Sequence, residues 1–189
     1  MAATTWKTDL THTDISFSTK HMMVTTVRGK FTEVEGTMTL DEANPGASGG
    51  SFTVKAASVS TGAEGRDQHL RGNDFFHTDN YPNITFVSSR VELVNESDYR
   101  VSGNLTILDV TRPVTFDVEF LGFYDGFTGR RAGFHATARI NRDDFGLTWN
   151  MPLQTGGWLV GKDVKLEIDL AMDEVVAEGV TAEPALATA

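Results

Sequence analysis

The sequence predicts an all-β protein that folds as an up-and-down antiparallel β-barrel of about eight strands with one or two short helices. Three observations predict this fold. Apolar and polar residues alternate with a period of two along most of the chain, turn sequences separate the alternating segments, and no segment keeps a long helical period. A β-sandwich is the alternative architecture, because it uses the same alternation and the same short connections.

The alternating segments define the predicted strands. In residues 164–170, for example, Val164, Leu166, Ile168 and Leu170 alternate with charged residues, which places one face toward a dry interior and the other toward water. The predicted strands cover residues 15–21, 24–40, 52–60, 84–94, 99–110, 114–120, 134–141 and 164–170.

Two local features interrupt this pattern. The apolar phase switches within residues 24–40, because Val27 and Phe31 fall on odd positions whereas Val34 and Met38 fall on even ones. Such a switch predicts a β-bulge near Glu33, a device by which sheets curve toward closure. The best candidate for a short helix covers residues 66–72.

Length and composition indicate one domain. The chain has 189 residues, and we assign residues 1–172 to the barrel. Residues 173–189 form an acidic segment with no Lys or Arg, and we expect a mobile tail there. A short helix over residues 174–178 is the alternative for the start of this tail.

Charge and residue usage exclude several functions. The formal net charge is −10, which disfavours nucleic acid and anionic membranes as general partners. The absence of cysteine excludes disulfides and thiolate chemistry, and the five histidines lack the paired spacing typical of a metal site, so we predict no metal and no cofactor. The chain has neither a membrane-length apolar run nor a signal peptide, which predicts a cytoplasmic protein without stable membrane insertion.

The inward faces of the predicted strands mix phenylalanines with very small residues such as Gly36, Gly103, Ala136 and Ala138. An eight-stranded barrel can leave room for one ligand, and this lining would suit a long apolar molecule. Large side chains that fill the gaps beside the small ones are the alternative, which would suit a structural or stress-related protein. The predicted ligand-binding residues are Phe17, His21, Phe31, Phe52, Arg66, His69, Phe75, Phe76, Phe86, Leu105, Phe116, Phe134, Ala136, Ala138, Leu166 and Ile168.

The polar segment 66–76 has two interpretations. As a cap over one barrel end, it would offer Arg66, His69 or Arg71 to a phosphate or an oxygenated head group. As a structural plug, which we favour for the segment, its charges would form ion pairs with Asp67 and Asp74, and Asp67 is the expected partner of Arg71. For Arg66, which has no acidic residue three or four positions further on, we expect head-group contact instead. We predict no catalytic residue; the alternative is an enzyme acting on an apolar substrate, with His21, His69 or Asp74 as general acid or base.

Several ordered stretches together carry a family resemblance. They include Trp6-Lys7-Thr8-Asp9, Val27-Arg28-Gly29-Lys30-Phe31, Arg66-Asp67-Gln68-His69-Leu70-Arg71 with Asp74-Phe75-Phe76, Gly103-Asn104-Leu105-Thr106-Ile107, and Asn141-Arg142-Asp143-Asp144-Phe145-Gly146-Leu147. From Trp6 to about Met172 the chain resembles the YceI-like family of lipocalin-like polyisoprenoid-binding proteins. The resemblance implies an extended lipocalin-like barrel with a long apolar pore. It also implies non-catalytic binding of a polyisoprenoid or isoprenoid quinone-like lipid, and it is consistent with a homodimer.

Overall fold

The computed structural model describes residues 3–126, 129–154 and 156–176. Its strands are β1 (Thr4–Thr8), β2 (Asp14–His21), β3 (Thr25–Phe31), β4 (Val34–Leu40), β5 (Gly49–Lys55), β6 (Val59–Ser60), β7 (Asn83–Leu93), β8 (Asp98–Ile107), β9 (Val110–Gly126), β10 (Gly129–Asn141) and β11 (Val160–Glu174). The helices are α1 (Glu64–Arg71) and the 3-10 helices Pro45–Ala47, Ala56–Ser58 and Arg142–Phe145.

The strands close into one antiparallel barrel. Hydrogen bonding runs in the order β1-β4-β5-β7-β8-β9-β10-β11, and β11 pairs with β1 to close the ring. Strands β2, β3 and β6 continue β1, β4 and β5 beyond local breaks, because β2 pairs with β11 and β3 while β3 also pairs with β6. The eight-stranded up-and-down barrel predicted from the sequence is confirmed, and the sandwich alternative is wrong.

The break between β3 and β4 lies at Thr32 and Glu33, where the phase switch predicts a bulge. The Oγ of Ser58 accepts hydrogen bonds from the backbone N–H groups of Thr32 and Glu33, at 3.2 and 3.1 Å. The Thr32 N–H also donates to the Ser58 carbonyl at 3.3 Å, so Ser58 replaces the strand partners that these two groups lose. The predicted helix is also present, although it begins at Glu64 and ends at Arg71.

Two buried clusters occupy opposite ends of the barrel interior. The larger one contains Phe75, Phe116, Phe145 and Leu147 and lies beside α1 and the 3-10 helix after β10. The smaller one contains Trp6, Ala132 and Met172, contributed by β1, β10 and β11. Inward-facing residues between the clusters are only partly buried, so the middle of the barrel is not filled by side chains.

The last strand is longer than the sequence predicts. β11 continues to Glu174, and the Asp173 carboxylate accepts a hydrogen bond from Arg131 Nε at 2.9 Å. Asp173 and Glu174, which the sequence analysis assigns to the acidic tail, therefore belong to the barrel wall. Residues 177–189 lie outside the described residues, so the predicted tail stays a prediction.

Candidate ligand-binding cavity

An elongated cavity occupies the barrel interior, with a volume of about 550 Å³. Its wall follows the strand alternation closely. Strand β10 contributes Phe134, Ala136 and Ile140, and the neighbouring strand β11 contributes Leu166 and Ile168 among others. The intervening residues point outward; His135, for instance, pairs with Asp169 at 2.8 Å on the outer surface. The cavity is therefore a direct consequence of the period-two pattern in a closed sheet.

Most of the predicted ligand-binding residues line this cavity. They are Phe17, Phe31, Phe52, Phe75, Phe76, Phe86, Leu105, Phe116, Phe134, Ala136, Leu166 and Ile168. They come from β2, β3, β5, β7 to β11 and the segment after α1, so every side of the barrel contributes to the wall. Aromatic rings pack in pairs along it, with Phe86 edge-on to Phe116 and Phe120 tilted against Phe134.

Four predicted residues lie outside the wall. Ala138 is 8% exposed and belongs to the buried cluster at the closed end. His21 lies at the end of β2, beyond the lining residue Thr19. Arg66 and His69 lie on α1, where Arg66 binds Thr61 and His69 contacts Asp74 and Trp149.

The cap is held by hydrogen bonds rather than by the predicted ion pairs. Arg71 donates to the carbonyl oxygens of Ala57 and Val59 at 2.8 and 2.9 Å. Arg66 donates to Thr61 Oγ1 at 2.7 Å, and the buried carboxylate of Asp67 accepts from the Thr61 backbone N–H at 2.8 Å. The expected ion pair of Arg71 with Asp67 is wrong, because the Arg71 guanidinium donates to backbone carbonyls near β6 instead. Arg66 likewise binds the hydroxyl and carbonyl oxygens of Thr61.

The underside of the cap closes the barrel. Leu70, Phe75 and Phe76 reach into the cavity, and Leu147 joins them from the segment after β10. The His69 ring packs edge-on against Trp149, with 4.6 Å between ring centroids, and its Nε2 pairs with Asp74 at 2.9 Å. Leu70, Phe75, Phe76 and Leu147 thus form the apolar closed end of the cavity, which we call the floor. The polar groups of the cap lie on its outer side.

Arg142 is the exception to this apolar floor. It lines the cavity although it is only 3% exposed, and burial lowers its pKa while the charge of Asp143 partly opposes that shift. Its Nε donates to the Gly161 carbonyl at 2.9 Å, and its Nη1 donates to the carbonyls of Trp149, at 3.0 Å, and Leu147. Its Nη2 is buried without a hydrogen-bond partner in the described part of the chain.

The opposite end of the cavity is open and acidic. Asp41, Glu42 and Glu96 line it there, and because Glu96 is also exposed, the cavity reaches solvent at this end. Glu42 pairs with Arg130 at 2.6 Å, and the hydrogen bond from Arg130 lowers the pKa of Glu42 against the opposing effect of burial. The Arg130 guanidinium in turn lies 3.7 Å from the centre of the Phe123 ring. We call Asp41, Glu42 and Glu96 the acidic mouth.

Sequence reasoning missed the polar groups at both ends of the cavity. The acidic mouth lies in two turns, and no local pattern indicates that they face the same opening. Arg142 follows β10 in a stretch used only for the resemblance, yet a lone arginine between Asn141 and Asp143 also fits an exposed turn. Among apolar lining residues, Met38, Tyr99 and Val101 were missed, although the phase of their strands places them on the inner face.

The fold and its cavity define a lipocalin-like barrel that encloses an apolar cavity. A model of the YceI-like domain matches residues 6–172, and the chain belongs to the YceI-like family. Similar sequences include a UPF0312 protein of Staphylococcus aureus, 38% identical over 163 residues that cover 84% of this chain and 91% of the relative. A UPF0312 protein of Staphylococcus epidermidis is likewise 38% identical, over 161 residues.

Solved structures show the same architecture. Burkholderia cenocepacia BcnA superposes with a TM-score of 0.75 at 25% identity, covering 87% of this chain and 98% of that chain. The Campylobacter jejuni YceI protein gives 0.70 at 29% identity, covering 84% and 90%. A polyisoprenoid-binding domain from Saccharophagus degradans shares the fold at 17% identity, with a TM-score of 0.65 and coverage of 90% and 98%. In the described residues, no helix is long and apolar enough to cross a membrane.

Proposed function

We propose that this protein binds a long isoprenoid or isoprenoid quinone-like lipid inside the barrel and stores, transports or sequesters it without chemical change. The observation that carries the proposal is the continuous cavity of about 550 Å³ with an almost wholly apolar wall. Pockets of this volume and lining bind apolar small molecules by burying most of their surface.

The shape of the cavity favours a chain over a compact ligand. Its lining residues on β11 extend from Val160 to Leu170. At about 3.4 Å per residue and a strand tilt near 40°, these ten steps correspond to roughly 25 Å along the barrel axis. The Saccharophagus degradans neighbour is described as a polyisoprenoid-binding domain. A polyisoprenoid is therefore the first ligand class to test.

An enzyme is less well supported. The candidate acids and bases are His21, His69 and Asp74, and none of them lines the cavity. His69 and Asp74 do form a pair at 2.9 Å, but the His69 ring lies behind Phe75 and Trp149. General acid–base catalysis requires the group to reach the reacting atom directly or through one water. The pair is better explained as part of the cap.

Native mass spectrometry of protein purified from its own source organism tests the proposal. We expect a mass increment that solvent extraction releases as an isoprenoid lipid, chemically unchanged after incubation with the protein. A chemically altered lipid would support the enzyme, and a barrel that neither carries nor takes up any prenyl lipid would overturn the proposal.

A further inference from the structure

We propose that Arg142 binds the oxygen-bearing end of the ligand, so that the lipid enters the barrel with this end first and leaves its hydrocarbon tail toward the acidic mouth. This inference rests on the proposed function and specifies the ligand further: an isoprenoid that ends in a hydrogen-bond acceptor, such as a carboxylate, a phosphate or a quinone carbonyl.

The hydrogen-bonding capacity of Arg142 is only partly used. A guanidinium has five N–H groups, all donors. Gly161, Leu147 and Trp149 accept three of them through their carbonyl oxygens. The two N–H groups of Nη2 have no acceptor in the described part of the chain, although the atom is buried. Buried donors are rarely left unpaired, since each lost hydrogen bond costs free energy, so a ligand oxygen at this point would satisfy them.

The charge of Arg142 is only partly compensated, by the charge of Asp143. Its sequence neighbour Asp143 pairs with Lys162 at 2.7 Å, and no carboxylate of the described residues forms an ion pair with Arg142. The surrounding floor consists of Phe75, Phe76 and Leu147, which cannot solvate a cation by hydrogen bonding. A buried positive charge in such surroundings favours an anionic or strongly accepting partner.

The two ends of the cavity have opposite electrostatic character. The acidic mouth contributes three carboxylates, of which only Glu42 has an arginine partner among the described residues. Arg142 is the one cationic side chain among the described residues that line the cavity. An anionic or acceptor end would be repelled at the mouth and attracted to the floor, which determines the direction of the bound lipid.

Two probes of the same chain length test this assignment. They are geranylgeranoic acid and the matching hydrocarbon in which a methyl group replaces the carboxyl group. Each probe is partitioned between the protein and phosphatidylcholine vesicles at neutral pH. In Arg142→Gln we expect the acid to bind about ten- to a hundredfold more weakly, the usual effect of losing a charge-assisted hydrogen bond. The hydrocarbon should keep its affinity within about twofold.

Arg139→Gln is the matched control, because Arg139 lies exposed on β10, the strand that ends just before Arg142, and its loss removes the same charge. It should change neither affinity. If Arg142→Gln weakens both probes equally, or neither, the head-group assignment is wrong and the lipid-binding proposal stands. If no probe binds the wild-type protein, both proposals fail.

Arg142 also donates hydrogen bonds to three backbone carbonyls, so the variant can lose stability for reasons unrelated to the ligand. A measurement on the wild-type protein therefore accompanies it. Nitrogen NMR of the arginine side chains should show a shift of the Arg142 signal when the acid binds and a much smaller shift with the hydrocarbon. Equal shifts with the two probes would contradict the assignment without any variant.

Discussion

Gly29 and Gly103 lie directly under phenylalanine rings of neighbouring strands. A Cβ atom on Gly29 would lie 2.5 Å from Phe17 Cζ, and one on Gly103 would lie 2.5 Å from Phe86 Cζ. These rings therefore fill the space that the glycines leave, as the alternative interpretation of the small inward residues expects. Ala136 behaves differently, because it lines open cavity space between Val118 and Ile168. The composition of a face shows which residues are small, but the neighbouring rotamers decide which of them leave room.

Ala136 and Ala138 provide a matched pair of substitutions two residues apart on β10. Ala136→Phe places a ring in the cavity, so we expect prenyl lipid affinity to fall at least about tenfold, or about 1.4 kcal/mol, with little loss of stability. Ala138→Phe inserts the same ring into a packed cluster, which should lower the free energy of unfolding by roughly 1–3 kcal/mol. Thermal melting and lipid partitioning of both variants measure these effects.

The two substitutions also test whether the barrel contains a ligand cavity or is filled by side chains. If both substitutions destabilise the lipid-free protein to the same extent and Ala136→Phe still binds lipid normally, Ala136 does not face a ligand cavity.

At the scale of the strands, the alternation of apolar and polar residues predicted the long strands but missed the short strand β1. Strands β7 to β11 follow from alternation over many residues, and even the break at Glu33 follows from a change of phase. Strand β1 has only five residues, and its fully buried Trp6 has no apolar neighbours to make a pattern. Its position is determined by partners distant in sequence, β4 and β11, which no local signal shows.

The junction of β1, β10 and β11 depends on the last residues of the barrel. Arg131 donates to Asp173 at 2.9 Å and lies 2.6 Å from Asp9, and the Val175 N–H donates to the Thr5 carbonyl at 2.8 Å. Thr11 and His12 also donate hydrogen bonds to Asp9. Although burial opposes them, these bonds and the Arg131 charge hold the pKa of Asp9 well below its usual range. The C-terminal end of β11 is thus part of a polar network that fastens β1.

Two truncations test where the barrel ends. Removal of residues 177–189 should leave the melting temperature nearly unchanged, because sequence composition predicts a mobile tail there. Truncation after Met172 also removes Asp173 and the strand pairing of Glu174. A loss of about 2 kcal/mol would then lower the melting temperature by roughly 4–8 °C. Calorimetry measures both, and a large drop from the shorter deletion would show that the tail packs on the barrel.

At the scale of the whole molecule, negative charge lies at the same place where the cavity opens to solvent. The net charge of −10 is spread over the surface, but the acidic mouth concentrates carboxylates where the cavity meets solvent. A lipid that leaves a membrane for this barrel must pass that opening. An anionic vesicle surface should therefore repel the protein in the orientation that the transfer requires.

This arrangement predicts how lipid transfer depends on membrane charge and salt. Transfer of geranylgeraniol to the protein should be slower from vesicles that contain phosphatidylglycerol than from neutral phosphatidylcholine vesicles, on the order of tenfold at low salt. The difference should vanish near 1 M salt, where the screening length is about 3 Å. Stopped-flow transfer with a quenched probe measures both rates.

Two charge-reversal variants distinguish the effect of the acidic mouth on the transfer rate from the effect of the total net charge. Glu96→Lys changes an exposed residue at the mouth, whereas Asp109→Lys makes the same change on an exposed turn at the closed end. In about 0.1 M salt, where Coulomb interactions decay over about 10 Å, only Glu96→Lys should speed transfer from anionic vesicles. Equal acceleration by both variants would show that the total charge, not the mouth, controls transfer, and no acceleration by either would contradict an electrostatic barrier at this opening.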